Sequence, residues 1–483
     1  LSLCVSVITN TEVRTNLVNA AELSYSRVSL ITQFFYQQLL EQLLHFQTTR
    51  FQPTRKLAPQ PNIAEISLRL KTPDYIDEAF AHPAILENTL PFTPVTTRLD
   101  YGENCLATPS DLKKAIAEAF ARQEITPDET QVHQPLAKLL RQRYGIEFSD
   151  RRNFAFGSGV SAIFSSLIRQ CSQQAGTFLF PQGAYGYFRA SFAFHDVPVK
   201  IVKGEEKTGF KLSLDALEKV LASTENPWLY LNAPISNPTG ALYSASELEA
   251  LVKLAWQYKA TVVLDTIFAG LEFAEIQTKF DLSWIQERRQ RSTGKIILLG
   301  GMAKEFAAAG MRFGYAYAPD SRLIKHLSEF MACSLPQTTR YAIARFFQSM
   351  TSGDKQIQPN SNSVWQHQRS QCQILATRAA QLTQILSESG WQVLSPQGGL
   401  FLVAKPVAFL GKTISYDLAG VEHRSTIDGD SITQALFAKV GLTINGATWT
   451  GLPDYCRFVL SVSESDFEVA ISKIRKFYSL IQD

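Results

Sequence analysis

Short apolar runs that end on a polar residue recur along this chain, and a turn signal follows each. Phe154-Ala155-Phe156 meets Gly157-Ser158-Gly159 before an apolar helical stretch starts at Val160. Leu229-Tyr230-Leu231-Asn232 runs into Ala233-Pro234-Ile235-Ser236-Asn237-Pro238-Thr239-Gly240. Thr261-Val262-Val263-Leu264 stops at Asp265, and Ile296-Ile297-Leu298-Leu299 leads through Gly300-Gly301-Met302-Ala303 to Lys304. Apolar runs of this length, bounded by Gly, Pro and Asn, predict buried strands. Alternating with helical stretches, they predict an α/β fold: a mostly parallel sheet flanked by helices, with ligands at its C-terminal edge.

Elsewhere the pattern changes. Val28, Ile31, Phe35, Leu39 and Leu43 stand near helical spacing and predict a helix over 21–46. The Pro- and Gln-rich stretch 52–61 predicts a connector, and a helix is expected over 109–120. Gly398-Gly399-Leu400-Phe401-Leu402-Val403 reads as a strand, as does the alternation around Tyr455-Cys456-Arg457-Phe458-Val459-Leu460-Ser461. Between them, residues 405–430 lose the apolar rhythm before a helix resumes over 431–440. The expectation for 405–430, which carries His423 and Arg424, is a surface loop. Its alternative is a specificity element over the substrate entrance.

The polar residues at the ends of these runs carry the candidate chemistry. Lys304 sits among small residues, with Arg312 eight positions on. A lysine there reads either as a solvated surface charge or as an amine that loses its proton in a pocket and attacks a carbonyl. Asn237 is either an ordinary turn residue or an amide presented to a ligand. Asp265 is either a helix cap or a group that pairs with a protonated ring nitrogen. Backbone N–H groups after Gly157-Ser158-Gly159 can cradle a phosphate.

Together, and in this order, these segments resemble the fold-type I aminotransferases (class I/II), which depend on pyridoxal 5′-phosphate (PLP). The resemblance covers roughly residues 95–480, and the lysine signature matches from Gly301 to Gly314 except at Phe313. It implies a large PLP-binding domain over 135–345, a smaller α+β domain from 95–134 and 346–483, and an N-terminal helical extension over 1–94. It implies that Lys304 carries PLP as a Schiff base and then moves the substrate's Cα proton, and that Asp265 pairs with the pyridine nitrogen. Asn237 would bond the ring's phenolic oxygen. Arg312 and the N–H groups of Gly159, Val160 and Ser161 would hold the phosphate. Tyr185 would stack on the ring, Arg457 would clamp the substrate's α-carboxylate, and Gly102 would lie in the loop that closes over it. Phe268 stands where a tyrosine commonly shares the phenolic oxygen, and Gly301 replaces a phosphate-binding hydroxyl. The tyrosine usually lent by a neighbouring subunit is not evident near 128–133. A homodimer is implied.

A narrower resemblance links Asn226-Pro227-Trp228, Asn237–Ser244 and Val263–Phe273 to the C-terminal aminotransferase-like region of methionine S-methyltransferases. It implies a possible fused or upstream methyltransferase domain, and a docking or linker role for 1–94. The leading expectation is transamination between an amino acid and a keto acid, with a methionine-derived or sulfonium amino acid, such as S-methylmethionine, as the narrower suggestion. The alternatives are γ-elimination, replacement or cyclisation of a sulfonium amino acid, and an amino-acid-binding regulatory domain.

Composition changes this picture little. Of 483 residues 45% are hydrophobic and 19% charged, which fits a globular enzyme. A net charge of +3 argues against a nucleic-acid footprint. Six scattered cysteines fit reduced thiols in the cytoplasm, and seven histidines without a His-x-x-x-His pair argue against a metal. No apolar run reaches the roughly 18 residues of a membrane span.

Overall fold

The computed structural model describes residues 97–482, apart from 122–128, 148–149, 185–188, 274–279, 288–294, 332–334, 352–362 and 419–420. The helix expected over 21–46, the connector 52–61 and the whole extension 1–94 therefore lie outside the described residues.

The apolar runs form the centre of a seven-stranded sheet. Its strands are β1 (Phe154–Ser158), β2 (Thr177–Pro181), β3 (Val199–Val202), β4 (Pro227–Asn232), β5 (Thr261–Asp265), β6 (Lys295–Gly301) and β7 (Phe313–Tyr317). Their spatial order is β1-β7-β6-β5-β4-β2-β3, and all pairs are parallel except the two made by β7. The runs are continuous because both faces are covered. Leu229, Leu231, Val262, Leu264, Ile296 and Leu298 enter one apolar cluster, while Trp228, Tyr230, Val263, Ile297 and Leu299 enter another. Burying each such side chain contributes roughly 1.5–3 kcal/mol. Helices Val160–Gln173 and Ser321–Phe330 cover the second face. Helix Ala245–Gln257, started by a Ser244–Glu247 capping box, covers the first.

Helices Ser110–Ala121, Glu129–Tyr144 and Gln337–Thr351 pack together in that first cluster. The apolar core of the large sheet thus reaches across the expected boundaries at 134 and 345.

A second sheet has its own core. It consists of β8 (Gln392–Leu394), β9 (Phe401–Lys405), β12 (Asn445–Gly446) and β13 (Cys456–Val459), in the order β12-β13-β9-β8 with antiparallel pairs. Arg457 is on β13, an interior strand rather than an edge one. Thr97–Arg98 pairs with Leu442–Thr443 in a separate two-stranded sheet, and the Val459 N–H donates to the Leu99 carbonyl at 2.9 Å, which brings residues 99–104 to the four-stranded sheet.

The stretch 405–430 is not a plain loop. It contains a β-hairpin, β10 (Thr413–Leu418) with β11 (Val421–Thr426). Ile414 and Tyr416 are buried while Thr413, Ser415 and Asp417 are exposed, the alternation of a half-buried strand. Tyr416 stacks on His423 across the pair and bonds Gln434 of the helix Ser431–Val440. Among the described residues no helix is long and apolar enough to cross a membrane.

Candidate active site

Strand direction gathers the candidate residues at one edge of the large sheet. Asp265 ends β5, Asn237 lies five residues past the end of β4, and Lys304 lies three past the end of β6. β7 runs antiparallel, so Arg312, just before it, reaches the same edge. Gly157 pairs with Gly314 and Ser158 with Phe313, which sets Gly159 beside Arg312.

Lys304 is partly buried, and its Nζ donates to the Gly102 carbonyl at 2.6 Å. Burial lowers its pKa to about 8; Glu103 opposes the shift, and Arg457 and Arg312 add to it. Its main-chain carbonyl accepts from Asn104 Nδ2 at 2.6 Å.

Asp265 is 6% exposed, and burial pushes its carboxyl up to about 6. Tyr230 Oη donates to its Oδ2 at 2.8 Å and the Ile267 N–H to its Oδ1 at 3.0 Å, both resisting that rise. Asn232 ties the neighbouring loop to it: its Nδ2 donates to the Asp265 carbonyl and its Oδ1 accepts from the Asn237 N–H. Asn237 Oδ1 itself is buried with no hydrogen-bond partner. Asn232 and Asn237 line a hollow with Gln182, Gly183, Phe210 and Thr239.

Arg457 is 3% exposed. Its Nη2 donates to Asn445 Oδ1 at 2.7 Å and to the Asp100 carbonyl at 3.0 Å. Its guanidinium lies 4.5 Å from the centroid of the Phe401 ring, whose other neighbour is Phe268 at 5.6 Å. Phe268 is therefore part of the apolar wall behind Arg457. A Cβ added at Gly102 would lie 3.3 Å from Arg457 Nη2. Lys304, Gly102 and Arg457 are thus neighbours.

The fourth group is an anion cradle. Helix Val160–Gln173 starts at Gly159, φ 88°, with no side-chain cap, so its first N–H groups are available to a ligand. A Cβ at Gly159 would lie 2.9 Å from Arg312 Nη2, and one at Gly314 would lie 2.5 Å from the Val160 nitrogen. Both positions need glycine because backbone and guanidinium converge there. Ser161 is exposed in the first turn.

These features fit PLP. The cradle suits a phosphate, Asp265 a ring nitrogen, the Asn237 amide, through its Nδ2, a phenolic oxygen, and Lys304, with its lowered pKa, an aldehyde. Tyr185 lies outside the described residues. Sequence reading missed Tyr230, Asn232 and Asn104, which act on Asp265, Asn237 and Lys304 through the fold. It also missed the ion pair of Glu305 with Arg143, buried next to Lys304. Among the described residues no group of three or more His, Cys, Asp or Glu could hold a metal.

The model of the family aminotransferase class I and II matches residues 95–474. Methionine S-methyltransferase of Hordeum vulgare is 30% identical over 477 residues, covering 96% of this chain and 42% of that protein. The Zea mays enzyme of the same name is also 30% identical, over 475 residues, with the same two coverages. The chain therefore spans under half the length of these curated relatives. The crystal structure of an aspartate aminotransferase from Rhizobium meliloti superposes with a TM-score of 0.66 at 18% identity, covering 89% of this chain and 99% of that one. That likeness bears on the fold alone.

Proposed function

Because this chain belongs to the class I and II aminotransferases, PLP-dependent transferase-like enzymes, we propose that it moves the amino group of an amino acid to a keto acid. The observation that carries this reading is the Lys304 amine, held against Gly102 beside Arg457 with its pKa lowered to about 8. PLP, when bound, supplies an aldehyde for the substrate's amine and a ring that draws electrons from its α-carbon.

The chain's own residues do the rest. Arg312 and the N–H groups of Val160 and Ser161 hold the phosphate, while the Gly159 N–H, expected to join them, donates to the Gly157 carbonyl at 2.7 Å. Asp265 keeps the ring nitrogen protonated, and Asn237 donates to the phenolic oxygen. Arg457 takes the α-carboxylate on its fork, and Gly102 closes against it. Lys304, with its pKa lowered to about 8, is the base for the substrate's Cα proton. The substrate class we propose is a methionine-derived or sulfonium amino acid, in keeping with the name of the relatives. Glu103, whose negative field reaches Lys304, supplies a countercharge for a sulfonium side chain.

The test is a panel of amino acids, including methionine and S-methylmethionine, given to the PLP-loaded chain with a keto acid. An isotopically labelled amino nitrogen should pass to the keto acid, and Lys304→Ala should lose both this transfer and the visible absorbance of bound PLP. Release of a thioether without nitrogen transfer would establish γ-chemistry instead. A wild-type chain that binds no PLP would point to an amino-acid-binding module.

A further inference from the structure

Residues 303–306 form turns between bends at 302 and 307, with Ala307 in the left-handed region at φ 49°. The carbonyls of Lys304 and Glu305 find side-chain partners here. Asn104 is 7% exposed, and its Nδ2 donates to the Lys304 carbonyl at 2.6 Å and to Gln371 Oε1 at 2.7 Å. Its Oδ1 accepts from the Leu106 N–H at 3.1 Å. Reversing the amide would set N–H against N–H, so its orientation is fixed. Gln371, 2% exposed, donates through Nε2 to the Glu305 carbonyl at 2.7 Å. Glu305 is anchored in turn by Arg143 and by Gln368 Nε2 at 2.7 Å.

The loop 102–104 therefore meets Lys304 at both ends, through the Gly102 carbonyl at the amine and Asn104 at the main chain. The same loop abuts Arg457. We propose that Asn104 is a positioning residue for Lys304, fixing the lysine's main chain relative to the loop that contacts Arg457. This rests on reading Lys304 as the reacting amine. Letting go of the Lys304 carbonyl admits water around the amine and loosens its aim, without touching the phosphate cradle.

The test compares Asn104→Ser and Asn104→Ala with wild type and with Thr108→Val. A serine hydroxyl still accepts from the Leu106 N–H but is too short to reach Lys304. Thr108→Val removes a hydrogen bond to the Ala307 carbonyl, three residues from the lysine, and serves as the packing control. In the cofactor-free protein, graded reductive methylation at a series of pH values, read by mass spectrometry of the residue-304 peptide, gives the amine's titration. Wild type and Thr108→Val should titrate at about 8. The Asn104 variants, folded by circular dichroism, should titrate about one pH unit higher, toward the ordinary lysine value. In the loaded enzyme kcat should fall on the order of tenfold to a hundredfold, with KM for the keto acid and PLP affinity little changed. Wild-type titration and kcat in both Asn104 variants would overturn the inference. A shifted titration in a chain whose wild type binds no PLP would overturn the proposed function and leave the positioning role standing.

Discussion

Burial pushes the Asp265 carboxyl up to about 6 and the Lys304 amine down to about 8, so one cause moves an acid and a base toward neutrality. At pH 7 most of Asp265 is ionised and ready for a cationic ring nitrogen, while a fraction of Lys304 is neutral and nucleophilic. The sign of the pH effect follows. The raised carboxyl pKa means that Asp265 of the free protein takes up a proton as pH falls through about 6, and pairing with the ring must then displace that proton. PLP affinity should fall about tenfold per pH unit below that point. The phosphate of PLP titrates in the same range, so the informative quantity is the ratio of wild-type to Asp265→Asn affinity by equilibrium dialysis. That ratio should be largest near pH 8 and about tenfold smaller by pH 5. A ratio constant across this range would remove Asp265 from the ring-pairing role.

At the scale of elements, the cradle is a property of the β1–β7 pair and the helix that follows β1. Gly314 faces Gly157 across the pair and touches the Val160 nitrogen, the N–H that would face the phosphate. Gly314→Ala should weaken PLP binding by at least about tenfold, or 1.4 kcal/mol, in a fluorescence titration. Pyridoxal without its phosphate should bind this variant as it binds wild type; equal losses for both ligands would mean that the sheet, not the cradle, was damaged. Strands β1, β4, β5 and β6 were legible in the sequence because each is built on an apolar run that stops at a turn signal or a polar residue. The hairpin 413–426 was not, because its strands bury few side chains and carry polar residues at every other position, as in Thr413-Ile414-Ser415-Tyr416. Asp265 and Lys304 stood out as candidates because they end or follow such runs, Gly159 through its glycine turn, and Arg312 through its spacing from Lys304. Their supports did not: Tyr230 is 35 residues from Asp265, Asn104 is 200 from Lys304, and no local pattern records such pairings.

At the scale of the whole molecule, the site lies where two separately cored sheets meet. The large sheet supplies Asp265, Lys304, Arg312 and the Gly159 cradle, while the second supplies Arg457 and, through the bond from the Val459 N–H to the Leu99 carbonyl, the loop carrying Gly102. The two are stitched by backbone bonds from Phe273 N–H to the Gln397 carbonyl at 3.0 Å, Gln397 N–H to the Gly240 carbonyl at 2.8 Å, and Gly399 N–H to the Leu271 carbonyl at 2.9 Å. Those bonds follow directly on the segments bearing Asp265 and Asn237. PLP by itself would contact large-sheet residues, so it should slow amide hydrogen exchange over 157–162, 236–240 and 312–315 and leave 100–106 and 456–461 little changed. An amino acid whose carboxylate reaches Arg457 engages the second sheet and steadies the Gly102 loop that already abuts Arg457, so its addition should extend protection to 100–106 and 456–461. Arg457→Ala should abolish the second wave of protection and keep the first. If PLP alone protected both sets equally, the two sheets would behave as one rigid body, and substrate would not be needed to steady Gly102 and Arg457 beside the lysine.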